Sequence, residues 1–494
     1  MKRFFEAFLA AFLLGFVSDV HGLKFYRGHL VGYDIPIGDT SDVTRSTARI
    51  STEYYLQRLD HFNPTNKVHW SQKYFVNDAY MSDEKNVVFL YIGGESQASS
   101  YWMSNGAWIE FAETHGALLF MLEHRYFGES QPFSDWSTEN LRYLSSEQAL
   151  NDLATFISAM NDKYELPEDV KWIAFGGSYA GAMAAWLRQK YPHLVHGAVS
   201  SSGPLFAQLD FPEYLQVVID DLALHSQECV DNLKEAITQL EDLIQNPNED
   251  EDLNSLFSFC DDIAESANST SDLANLFELI ADNFAGVAQY HKTTNTLYNI
   301  NLVCEILNDE SKGNELHRLA EVNNFVEGIT DDSSCFDYKY SNIIEKWSNA
   351  TVIASGMMRQ WMYQTCTEFG YYQTSSQEIP VFGSRFPLSF FTQMCVDIFG
   401  EKFNETFVGE KVQHTNIFYG GFDIETSNVV FVHGTIDPWH VLGLIETVNP
   451  QTPSILINGT SHCADLYSSS SSDSAELTAA REQIGELLAS WISA

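Results

Sequence analysis

The sequence is poor in positive charge. Its 27 lysines and arginines stand against 67 aspartates and glutamates, a formal net charge of −40 over 494 residues. A surface that acidic repels phosphate backbones and anionic lipid, which excludes nucleic acid as a partner. The surplus of carboxylates suits either plain solubility or an acidic compartment that neutralises many of them, and it names no substrate. No run of eighteen apolar residues occurs, so no membrane-spanning helix is expected. CxxC pairs and the Cys/His spacings of zinc sites are missing, so neither a structural metal nor a cofactor is expected. EF-hand spacing is absent around the acidic stretch 246–252, which reads as solvated surface, and no fixed-period repeat is visible. What is plentiful is apolar residues, 45% of the chain with 14% aromatic. A chain this long buries one or more large cores, and its length suggests two or three domains.

Met1, Lys2 and Arg3 precede an apolar stretch over residues 7–17, with small residues at Val20 and Gly22. This pattern predicts a secretory signal peptide over residues 1–22, cut near Gly22, and a chain delivered outside the cell or into a lysosomal or vesicular lumen. Asn268, Asn349, Asn404 and Asn458 open glycosylation sequons, whereas Pro64 disqualifies Asn63. Six of the seven cysteines, Cys229, Cys260, Cys304, Cys335, Cys366 and Cys395, fall between residues 229 and 395. An oxidising compartment lets them form up to three bridges, in any of fifteen connectivities. Cys463 is left as a small buried thiol.

Short apolar runs over residues 87–92, 117–122 and 170–175 end in glycine or polar loops and read as buried strands. Helical periods lie between them, at Leu150, Leu153, Ala154, Ile157 and Met160, and again over residues 180–190, which stop before Pro192. Strands alternating with helices imply a doubly wound parallel sheet. The alternation resumes with strands at 429–432 and 454–457. A helix follows the flexible serine run 468–472, N-capped by Asp473 with Glu476 three residues on, its stripe being Leu477, Ala480, Ile484, Leu487, Leu488 and Trp491. Between these parts the texture is helical, for example over residues 211–224 and 272–280. The expected organisation is an α/β core over residues 23–204 and 401–494, interrupted by a helical, disulfide-containing cap over residues 205–400.

The chemistry centres on Gly176-Gly177-Ser178-Tyr179-Ala180-Gly181, between a predicted strand and a predicted helix. A serine there sits on a tight strand-to-helix turn with its hydroxyl exposed above the sheet, the nucleophile elbow of α/β-hydrolases. A serine hydroxyl needs a base and an acid to orient that base, in the chain order Ser, Asp or Glu, His. Asp437 follows the strand at 429–432 and His462 follows the strand at 454–457, which makes them the expected acid and base. His440 is the second candidate base, and Asp465 and Asp423 are rival acids; His433 reads as packing against the strand end. The oxyanion hole is expected from the Tyr179 N–H with that of Gly94 or Glu95, and Trp439 and Trp102 are candidate pocket walls. Glu123, Arg125 and Tyr126 could hold a peptide terminus, but a structural ion pair is the favoured reading.

The elbow with Ala184-Ala185-Trp186, the segments Gln57-Arg58-Leu59-Asp60-His61-Phe62, Gly93-Gly94-Glu95, Glu123-His124-Arg125-Tyr126-Phe127-Gly128 and Asp437-Pro438-Trp439 together resemble the Pro-Xaa serine peptidase family, which includes lysosomal prolyl carboxypeptidase, dipeptidyl-peptidase II and thymus-specific serine protease. The resemblance implies an α/β-hydrolase core with a helical cap and a triad at Ser178, Asp437 and His462. It further implies peptide substrates cleaved after proline or a small apolar residue near a chain end, in acidic vesicles or after secretion. It also implies the pairs Cys229 with Cys304, Cys260 with Cys335, and Cys366 with Cys395. Ser96 and Ala180 depart from glycines frequent in the family, so proline preference is less firmly implied than hydrolysis. A lipase or carboxylesterase of the same fold and a non-catalytic binding protein remain as alternatives. Carboxyl-end or amino-end trimming and a homodimer are left open.

Overall fold

The computed structural model describes residues 24–26, 28–31, 49–247, 251–292, 298–329, 334–353 and 355–494. The expected signal segment 1–22 and part of the acidic stretch 246–252 lie outside these residues. A small antiparallel hairpin, β1 (Lys24–Tyr26) with β2 (His29–Val31), comes first. The main sheet follows: β3 (Ile50–Arg58), β4 (His69–Asn77), β5 (Val87–Ile92), β6 (Leu118–Leu122), β7 (Lys171–Gly177), β8 (Gly197–Ser201), β11 (Val429–Gly434) and β12 (Ser454–Ile457). Their order across the sheet is β12-β11-β8-β7-β5-β6-β4-β3. From β12 to β6 the pairing is parallel, whereas β4 pairs antiparallel with β6 and with β3.

The two-residue period of a strand decides which helices cover which face. Val88, Leu90 and Ile92 of β5 share a core with the helices Ser146–Lys163 and Tyr179–Lys190. Val87, Phe89 and Tyr91 face the other way, onto the helices Ala107–His115 and Ala475–Ser493. The last helix is capped by Ser474, whose Oγ accepts from Leu477 N at 3.1 Å. Asp473, the expected cap, instead accepts from Arg481 Nη1 at 2.5 Å and Ser470 N at 2.8 Å, because that arginine reaches back from two turns along the helix.

Between β8 and β11 the chain is largely helical and builds the expected cap texture. The run expected at 211–224 forms the helix Glu213–His225, and that at 272–280 lengthens to Thr270–Gln289, capped by Ser269. An exception is a parallel two-stranded ribbon, β9 (Gln208–Asp210) with β10 (Gly370–Tyr372). Disulfides join Cys229 to Cys304, Cys260 to Cys335, and Cys366 to Cys395, the pairs implied by the resemblance. The cap and one face of the sheet share a continuous apolar cluster, so the cap is anchored on the core by burial. Thus the carboxyl ends of β5, β7, β11 and β12 open at the same edge of the sheet, beneath the cap, which is where open α/β sheets place their ligands.

Candidate active site

Ser178 leaves β7 and starts the helix Tyr179–Lys190 with φ 58° and ψ −133°. A residue with a Cβ is strained in that region, and surrounding contacts must hold it there. They do: Ser178 N donates to Ser201 O at 3.0 Å, and the Ser178 carbonyl accepts from Gly181 N at 2.8 Å and Ala182 N at 3.1 Å. Gly176 permits the tight turn, since a Cβ on it would lie 2.0 Å from the Ala180 carbonyl oxygen.

Asp437 and His462 come from neighbouring loops. Ile436 N donates to Thr460 O at 3.0 Å, and a Cβ on Gly434 would lie 2.1 Å from that same oxygen, so only glycine lets the loops approach this closely. His462 Nδ1 donates to Asp437 Oδ1 at 2.9 Å, and the same oxygen accepts from Trp439 N at 3.1 Å. Burial would raise the Asp437 carboxyl, but the His462 imidazole beside it outweighs burial and holds it below the usual carboxylate range. Burial would likewise lower His462, yet the Asp437 carboxylate raises it well above an ordinary histidine. The pair therefore favours an imidazolium, the species formed when a serine gives up its proton.

Ser178 and His462 border one cavity of about 280 Å³, with Gly94, Glu95, Trp102, Cys463 and Tyr467 among its other walls. No hydrogen bond joins Ser178 Oγ to the imidazole in this geometry; such bonds commonly tighten only when substrate docks. Tyr179 N–H stands in the first helical turn, where backbone donors have no intrahelical acceptor and the helix dipole favours negative charge. A Cβ on Gly94 would lie 3.5 Å from Ala180 Cβ, which puts its loop beside the elbow. Gly93 N–H is spent on Leu122 O at 2.9 Å, which leaves the N–H groups of Gly94 and Glu95 as the candidate second donors.

The other expected residues fall in distinct places. Trp102 does wall the cavity, stacked on Tyr91 with centroids 5.4 Å apart. Trp439 does not border it: the ring is buried against Phe211, Tyr214 and Tyr371, drawn there because its indole N–H donates to Gln289 Oε1 at 2.9 Å. Cys463 is half-buried and forms part of the wall, because a left-handed backbone at φ 56° turns it there from the His462 loop. His440 Nδ1 donates to the Asp437 carbonyl at 2.7 Å, away from the cavity, and His433 is sealed in the core. Asp465 accepts from Ser201 Oγ at 2.5 Å, and Asp423 is exposed. Arg125 is a structural group, forked onto Asp152 with Nε and Nη2 each 2.6 Å from a carboxylate oxygen, while Glu123 accepts from Ser130 Oγ at 2.7 Å. All four sequon asparagines are exposed. Among the described residues no cluster of three or more His, Cys, Asp or Glu is placed to hold a metal ion.

Gln289 carries a role that the sequence did not reveal. Ending a cap helix, it takes His462 N–H on its carbonyl at 3.0 Å and accepts from Tyr214 OH at 2.6 Å as well as from Trp439. Its Nε2 donates to Gly28 O at 2.7 Å, so one residue, through side chain and backbone, ties cap, hairpin and the His462 loop together. Only its position at the end of the amphipathic run through Val287 could have hinted at this.

The sequence model of the family described as Serine carboxypeptidase S28 matches residues 57–484. Mouse (Mus musculus) thymus-specific serine protease is 34% identical over 446 residues, covering 88% of this chain and 86% of that protein. Human (Homo sapiens) lysosomal Pro-X carboxypeptidase is 26% identical over 459 residues, covering 90% and 88%. Among solved structures, proline iminopeptidase of Mycobacterium smegmatis aligns with a TM-score of 0.36 at 10% identity, covering 90% of this chain and 99% of that one.

Proposed function

The chain belongs to the serine carboxypeptidase S28 family and is a serine-type peptidase; on that footing we propose that it is an exopeptidase cleaving after proline or a small apolar residue near a peptide end, with Ser178, His462 and Asp437 as its triad. The observation that carries this reading is the buried Asp437–His462 hydrogen bond, 2.9 Å long, on the same cavity as a serine held at a strained elbow.

In this mechanism Ser178 Oγ attacks the scissile carbonyl while His462 Nε2 takes the hydroxyl proton. The developing oxyanion is met by the N–H groups of Tyr179 and of Gly94 or Glu95, and a single such donor is worth about 2.7–4 kcal/mol of barrier. Collapse breaks the C–N bond, and His462 returns the proton to the leaving amine. Water then enters on the same base and releases the acyl group from Ser178. Asp437 stays ionised throughout, holding the imidazole in the required tautomer. Three disulfides, four exposed sequons and a lysosomal relative support a secreted or lumenal site of action, with the sequons glycosylated.

Incubating a defined peptide mixture with the protein at acidic and at neutral pH, and reading products by mass, tests the proposal. The expected products are one- or two-residue trimmings next to proline or alanine, lost in Ser178→Ala. Turnover of acyl esters with no peptide trimmed would favour the esterase alternative.

A further inference from the structure

Among the described residues that border the catalytic cavity, Glu95 is the sole carboxylate, and no lysine or arginine joins it. Glu95 Oε1 lies 3.4 Å from His29 Nδ1, with the glutamate side chain 12% and the histidine 6% exposed. His29 comes from β2 and is wedged edge-on against Trp361 of the cap, ring centroids 4.6 Å apart. Its Nε2 is buried and has no hydrogen-bond partner among the described residues. The hairpin that presents it is tied down through Gly28 O by Gln289, the residue that also holds His462.

Glu95 is poorly compensated for a buried carboxylate. Asp152, 1% exposed, takes a forked arginine, whereas Glu95, 12% exposed, has only the imidazole of His29 at 3.4 Å. A buried acid in that situation is costly to ionise unless a cation arrives. We infer that Glu95, positioned by His29, receives the free α-ammonium group of the substrate, so that this peptidase trims chains from the amino end. The inference rests on the peptidase reading above and decides the direction that reading leaves open. A compact ammonium with three donors suits a lone carboxylate, while a substrate's terminal carboxylate would find no lysine or arginine among the described residues of these walls. Lys292 covers the ring of Tyr467 at 4.5 Å from its centroid but does not itself border the cavity.

The ionisation of Glu95 gives the inference a pH signature. Burial pushes its carboxyl up to about 7, opposed by its own amide and by His462. The groups that face it are His29 from the hairpin, His462 from the loop after β12, Tyr179 from the elbow helix and Tyr290 from the end of the cap helix. Below neutrality an incoming ammonium must displace the carboxyl proton, and above about 8 the substrate amine itself loses its charge. KM for free-amine substrates is therefore lowest between those limits.

Matched peptides with free or acetylated amino ends, and with free or amidated carboxyl ends, test this on the full-length protein. Acetylation is expected to lower kcat/KM about 10- to 100-fold, the effect of losing a hydrogen bond to a charged group, and amidation to leave it unchanged. Glu95→Gln should erase the acetylation penalty by raising KM for the free amine, together with the fall of KM toward neutral pH; His29→Gln should do so in part. Equal cleavage of free and acetylated peptides by the wild type, a penalty on amidation instead, or a penalty that survives in Glu95→Gln overturns the inference. Fluorophosphonate labelling of the wild type separates the two levels. Labelled Ser178 with cleavage indifferent to the amino end defeats this inference alone, whereas no label and no cleavage of any peptide defeats the peptidase reading as well.

Discussion

Asp437 is fully buried, and the His462 imidazole outweighs that burial and holds its carboxyl below the usual range, which decides what its replacement does. Asp437→Asn keeps the shape but offers His462 a donor in place of an acceptor, favouring the wrong tautomer. Steady-state kinetics should show kcat down about 10⁴-fold with KM little changed; a loss below tenfold would mean that the pair is structural. The three residues proposed as the triad could be picked out because each lies within five residues of the end of an apolar run. Gln289 and the carboxylate role of Glu95 were not, since both depend on partners far away in the chain, Gly28 and His29 among them. Trp439 misled for the same reason: its place beside Asp437 in sequence says nothing of the Gln289 side chain that draws its indole inward.

At the scale of elements, the elbow depends on the helix Tyr179–Lys190 starting hard against the end of β7. Gly176→Ala would press a methyl group to 2.0 Å from a backbone carbonyl that cannot swing aside. The expected cost is about 3 kcal/mol, the upper range for overpacking, read as a lower thermal midpoint or as insoluble protein; an unchanged midpoint would refute the turn as described. The strands β5, β6, β7 and β11 could be read because they lie inside the sheet and continuous apolar runs mark them, and β12, though at the edge, keeps the apolar run Ile455, Leu456 and Ile457. β3 and β4 escaped notice because ISTEYYLQR and HWSQKYFVN mix polar with apolar residues, β3 burying Gln57 while it exposes Tyr54 and Leu56. β8 was missed because GAVSS is short and small, buried only by what its neighbours supply. The cap on the last helix shows a limit of motif reading, as Asp473 and Ser474 are both good caps and a distant arginine chose between them.

For the whole molecule, stability follows from two opposed sets of buried groups. Burial raises Glu368 to about 7, Asp221 to about 8 and Asp465 to about 6. Their folded forms bind protons more readily than the unfolded chain, so their contribution is present at low pH and is lost as pH rises through those values. Burial lowers His29 to about 3 and His124 and His433 to about 4. These must be neutral to stay folded, so their contribution fades as pH falls below the ordinary histidine range. The thermal midpoint should peak on the acid side of neutrality and decline by pH 8, and Glu368→Gln should flatten that decline; a midpoint that rises steadily to pH 8 would be inconsistent with it. Such a profile suits an acidic lumen, where the many surface carboxylates also repel one another less. The disulfide pairing is a molecule-wide property that spacing alone left among fifteen choices, and only resemblance narrowed it. The central claim, that distant parts of the chain converge to make one hydroxyl reactive, is met most directly by counting and mapping fluorophosphonate adducts in the wild type, Ser178→Ala and His462→Ala while following peptide cleavage. One adduct per wild-type chain, on Ser178, with none in either variant and cleavage lost in step, is the predicted result. An adduct on another residue, or cleavage that persists in Ser178→Ala, would contradict it.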